Sequence, residues 1–187
     1  DPTHMATIAV GGDIAKVDQF ATKAEVAKVF KDAGGAGANL ATIVTSLQTN
    51  LDTDNLSALK ALDPTHMATM AVGGDITKID QFATKAEVAK VFKDKAGAGA
   101  DLASIITNVH TLEAGHLTAL KDLKPADMAT IAASVDLADV KNVGRKAKLV
   151  VAYTPTGLVV PDLSSILTNV NAIASADLLN YDAMDDA

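Results

Sequence analysis

Apolar residues recur along this chain at three- and four-residue intervals, in short runs separated by Gly, Pro, Asp or Asn. Val26, Val29 and Phe30 share one helical face, as do Leu40, Ile43, Val44 and Leu47, and again Leu56, Leu59 and Leu62. That spacing matches the 3.6-residue turn and predicts amphipathic α-helices.

Cap residues divide the pattern into short elements. Asp1-Pro2 opens a first helix, with Pro at the position where its missing N–H costs nothing, and Gly11-Gly12 ends it. Asp13 is expected to cap a second helix bearing Ile14, Val17 and Phe20. Thr22-Lys23-Ala24-Glu25 reads as a capping box opening a third, which closes at Lys31 before Gly34-Gly35-Ala36-Gly37. Asn39 caps a fourth, and Thr53 or Asp54 a fifth that ends at Leu62.

The pattern then starts again. Asp1–Asp13 returns as Asp63–Asp75, and in altered form as Lys124–Asp136. Met5, Met67 and Met128 align at offsets of 62 and 61 residues, and the same offsets align Leu40, Leu102 and Leu163. The offset changes near Asn50, so that Asn55 corresponds to His116. Residues 1–38 and 63–100 differ at only five positions, which indicates recent tandem duplication. The units are 1–62, 63–123 and a divergent 124–187. Helices this short are marginal alone in water and depend on neighbours for burial. With no linker between units, the expected fold is all-α, tandem repeats of short helices stacked as an α-solenoid-like array.

The third copy departs most at Lys148–Val160, where two β-branched runs flank Thr154-Pro155-Thr156-Gly157. Taken alone the segment suggests a hairpin. Alignment with the other copies favours a helix over 146–153, with added apolar surface for an end unit or a following domain.

Composition narrows the reading. There is no Cys and no Trp, which removes disulfides and thiolate metal sites. The net charge is −7 and Arg145 is the only arginine, so a nucleic-acid partner is disfavoured. No apolar run approaches the length of a membrane span. The chain begins at Asp1 within the repeat motif, as expected of a piece of a longer protein.

Candidate chemistry is sparse. The polar positions kept in all three copies are Thr7/Thr69/Thr130, Asp13/Asp75/Asp136, Lys23/Lys85/Lys146 and Thr45/Thr107/Thr168. A structural role is sufficient for each. The Asp caps a helix, the Thr residues bond back to the preceding turn, and the Lys is expected to be solvated. His4 and His66 share a position that holds Asp127 in the third copy, and His110 and His116 lack the spacing and company of a zinc site. Gly11-Gly12-Asp13 is a lone step of a calcium β-roll motif, and Asp52-Thr53-Asp54-Asn55 lacks the Gly and closing Glu of an EF-hand loop. The Ala-Gly run at 33–38 lacks the Lys-Ser/Thr of a phosphate loop. No catalytic, cofactor-binding or metal-ligating residue is assigned.

The expectation is a non-enzymatic structural repeat segment of a larger surface or secreted protein, bacterial in style, serving extension, self-assembly or adhesion. A cytosolic setting is compatible with the same composition. Its partners would be neighbouring repeats, a second copy of itself or another protein. The alternative is a helical scaffold that binds a protein partner along a groove.

Overall fold

The computed structural model describes residues 2–8, 16–154 and 163–185. Among these residues there are twelve α-helices and no strand. The chain divides into two compact units, 1–90 and 91–187, and the division falls within one helix.

The first unit holds α1 (Pro2–Ile8), α2 (Val17–Ala33), α3 (Leu40–Asn50), α4 (Thr53–Lys60), α5 (Pro64–Met70) and the start of α6 (Ile79–Ala96). α2 is its central helix, with α1, α3, α4 and α5 packed on it. Its buried residues Val26, Ala27, Val29 and Phe30 meet Ile43, Val44 and Leu47 of α3, Leu56 and Leu59 of α4, and Met67 of α5 in one core. Phe30 and Phe82 touch edge to face, with centroids 5.1 Å apart and ring planes at 76°. Such a pair adds about 0.5–1.5 kcal/mol beyond the area it buries. The end of α2 lies against Gly74, where a Cβ would stand 2.3 Å from the Gly34 nitrogen. Gly74 also has φ +65°, so both the close approach and the backbone require glycine there.

The second unit holds the rest of α6, then α7 (Leu102–Val109), α8 (Ala114–Lys121), α9 (Pro125–Ala133), α10 (Lys141–Ala152), α11 (Leu163–Asn171) and α12 (Ser175–Asp185). Here α10 is the centre, packed by α8, α9, α11 and α12. Its Val143, Ala147 and Val150 are buried together with Leu117 and Leu120 of α8, Met128 and Ile131 of α9, Ile166 and Val170 of α11, and Leu178 of α12. Tyr153, just past the end of α10, is 63% exposed.

Two expectations need correction. The second and third short helices expected in each copy are one continuous helix, α2 in the first and α6 in the second. Thr22 is not a cap: it is buried mid-helix, and its hydroxyl donates to the Asp18 carbonyl at 3.0 Å. No Gly or Pro separates Phe20 from Thr22, and extending an existing helix by one residue is far easier than nucleating another. The cap of α4 is Asp52 rather than Thr53 or Asp54; its carboxylate accepts from Asn55 N at 2.9 Å, and Asn55 Oδ1 accepts from Asp52 N at 3.1 Å.

Other cap assignments hold in the structure. Asn39 accepts from Ala41 N, Asp63 from His66 N with Pro64 following it, and Asp101 from Ser104 N. In the third copy, 146–152 is helical. Residues 155–162, the rest of the hairpin alternative, lie outside the described residues, as do Asp1, Asp13 and the Gly11-Gly12 stop.

Candidate functional site

The retained polar residues come first. Thr7, Thr69 and Thr130 donate to the carbonyls of Thr3, Thr65 and Ala126, each four residues back, at 2.9, 3.1 and 2.9 Å. Thr45, Thr107 and Thr168 do the same to Ala41, Ala103 and Ser164. Asp75 accepts from the backbone and hydroxyl of Thr77 at 3.1 and 2.6 Å, which holds its carboxyl below the usual range. Asp136 precedes a short 3-10 turn without making a side-chain cap bond.

The retained lysine is not solvated as expected. Lys23 and Lys85 are half-buried, and Lys146 is only 3% exposed. Desolvation lowers the pKa of all three. Lys146 Nζ donates to Ser134 Oγ at 2.9 Å and to the Asn171 carbonyl at 3.1 Å. Ser134 is the C-cap of α9 and Asn171 the last residue of α11, so one ammonium bridges the C-terminal ends of two helices, through a hydroxyl on one and a carbonyl on the other. Asn171 ties the same ends together, donating to Thr130 O at 3.0 Å and accepting from Ser134 Oγ at 3.1 Å. In the first copy Gln48, the counterpart of Asn171, donates to the carbonyl of Thr7.

The second cluster lies where α4 meets α6, and where α8 meets α10. Asn55 Nδ2 donates to Glu87 Oε1 at 2.5 Å. Burial, with the charges of Asp52 and Asp54 nearby, pushes the Glu87 carboxyl up to about 7 against the pull of that bond. At the corresponding place in the second unit His116 is buried against α10, and Nδ1 takes a long bond from Glu113 N at 3.4 Å. Gly144 makes room for it: a Cβ on Gly144 would lie 2.4 Å from His116 Cβ. Lys141 pairs with Glu113 at 2.6 Å, and a Cβ on Gly115 would lie 3.3 Å from Lys148 Cε. The charge relation is thus inverted between the two contacts. Glu87 faces acids, whereas its counterpart Lys148 and the nearby Lys141 lie beside a helix capped by Glu113.

Comparison with family models, curated proteins and solved structures returns no match.

Two shallow clefts among the described residues are lined by polar side chains. One of 220 Å3 lies between α2 and α4, edged by the Asp18–Lys60 pair at 2.6 Å. The other, of 280 Å3, includes Lys95, Asp101, Ser104 and Asp136. Lys95 is committed to the carbonyls of Ala132 and Val135 at 3.0 and 2.7 Å, and Asp101 to capping α7. Both clefts are smaller than the roughly 300–1,000 Å3 usual for ligand pockets. Among the described residues no three His, Asp or Glu side chains gather as a metal site, and no helix is long and apolar enough to cross a membrane. His66 sits 2.6 Å from the Asp63 carboxylate at the start of α5, a local pair at a helix N-terminus.

The contacts of Lys146 and Glu87 were not apparent from the sequence. A signal existed for Lys146: a lysine retained in three copies amid drifting neighbours is more constrained than a solvated one need be.

Proposed function

We propose that this chain is a non-enzymatic structural segment of a larger protein, built from three tandem helical repeats at 1–62, 63–123 and 124–187 and stacked in the manner of a solenoid. Its role is extension, self-assembly or adhesion, in a surface or secreted setting. The observation that carries this reading is the use made of the retained polar side chains. The Thr hydroxyls bond to their own helices, and Lys146 joins the ends of two of them. Duplication has kept what builds the unit.

Light scattering against protein concentration, with and without calcium, tests the self-assembly form of this reading. Mass rising with concentration is the expected result. A strict monomer under every condition counts against it.

A further inference from the structure

One face of α2 is exposed where its counterparts are covered. On this face Val17 is 56% exposed, while its counterparts Ile79 and Val140 are 2% and 1% exposed. Ala21 is exposed, whereas Ala83 is buried and Gly144 is packed under His116. Glu25 is exposed, whereas Glu87 accepts from Asn55 and Lys148 lies over Gly115. In both internal cases a short helix reaches this face from its first turn: Asn55 of α4 bonds to Glu87, and His116 and Gly115 of α8 lie against Gly144 and Lys148.

α12 has the repeat position of α4 and α8. Its inward Leu178 is 1% exposed, as befits a helix anchored in its own unit. The edge that α4 and α8 apply to the next long helix is exposed in α12. Ala176 and Asp177 occupy the positions of Gly115 and His116 and are both exposed, and Leu179 is 54% exposed. The steric match follows the first internal contact: Ala21 corresponds to Ala83, and Asp177 has the shape of Asn55.

Resting on the self-assembly reading above, we propose that the Val17–Ala21–Glu25 stripe of α2 docks α12 of a second copy of this chain, repeating between molecules the contact made within each unit. The pairing is heterologous, a different surface on each partner, so each added copy leaves one stripe and one α12 for the next. Asp177 falls opposite Glu25, so two carboxylates oppose where Asn55 and Glu87 share a hydrogen bond. The native contact is therefore weak, and an amide at 177 strengthens it.

The chain has no cysteine, so engineered thiols report the contact cleanly. Chains carrying Ala21→Cys and Asp177→Cys are mixed under mild oxidation, with Ser57→Cys as an exposed control. The mixed 21–177 disulfide is expected to outnumber either homodimer and any Ser57 product. In sedimentation velocity, Asp177→Asn is expected to tighten association about tenfold. Ala21→Glu, at an exposed position, is expected to abolish association while leaving the helical circular dichroism unchanged. Association that ignores Ala21→Glu and Asp177→Asn, with no preference for the 21–177 crosslink, overturns the docking site and leaves self-assembly standing. A chain that stays monomeric even as Asp177→Asn overturns both.

Discussion

Gly144 of α10 lies under His116 of α8, so close that a single added carbon would stand 2.4 Å from the histidine Cβ. At the same repeat positions the first unit has Ala83, whose methyl is buried, and Asn55. The larger imidazole and the loss of the methyl belong together. Gly144→Ala is therefore expected to destabilise the protein by about 1–3 kcal/mol, the cost of overpacking a filled core, despite its better helix propensity. Chemical denaturation followed by circular dichroism measures this. A neutral or stabilising result would show that α8 moves aside freely.

Glu87 makes stability depend on pH in an unusual direction for a carboxylate. Burial raises its pKa in the folded chain from 4.5 to about 7. Between those values the folded chain holds a proton that the unfolded chain has released, so stability falls as pH rises from 4.5 to 7 and levels off above. Glu87→Gln keeps an acceptor for Asn55 and removes the charge. It should raise stability at pH 8 by about 1–2 kcal/mol, after allowance for solvent screening of a partly exposed group, and change little at pH 4. Glu25→Gln, at the exposed counterpart, should stay within about 0.5 kcal/mol at either pH. Paired melts at the two pH values check both.

Lys146 and Lys23 occupy one repeat position but differ in surroundings. Lys146→Met keeps the aliphatic stem and removes the donor to Ser134 and Asn171. The expected loss is about 2–3 kcal/mol, since two helix ends lose a charged partner. Lys23→Met should cost less than about 1 kcal/mol. Equal effects on the denaturation midpoint would mean that the bonds of Lys146 to Ser134 and Asn171 add nothing to stability.

Gly73 and Gly74 both have positive φ, at +70° and +65°, yet only Gly74 abuts other backbone. Gly73→Ala should cost about 1 kcal/mol from backbone strain alone. Gly74→Ala must also push α5 and the end of α2 apart, and should reduce folded yield outright. Similar melting temperatures for the two variants would refute the close approach.

Much of this architecture is legible in the spacing of Val, Ile and Leu and in caps such as Asn39, Asp63 and Asp101. Local pattern misleads where one residue type has two uses. Thr22 suits an N-cap and equally a back-bonded site inside a helix, and only the absence of a breaker before it decides. Asp52 and its two neighbours are all competent caps, so the choice rests on which reciprocates with Asn55. The clusters around Lys146 and Glu87 unite residues far apart in sequence. A 3.6-residue period says which face of a helix is inward, not which polar end of another helix it will meet.

The Phe30–Phe82 pair and the exposed Tyr153 have a consequence for how the protein can be watched. With no tryptophan, its intrinsic emission comes from Tyr153 and Tyr181, both in the second unit. The first unit carries only phenylalanine and is almost silent in tyrosine fluorescence. Emission thus follows one half of the chain, while far-ultraviolet dichroism follows all of it. The two unlabelled signals together tell whether a helix shared by both units, α6, makes them melt as one.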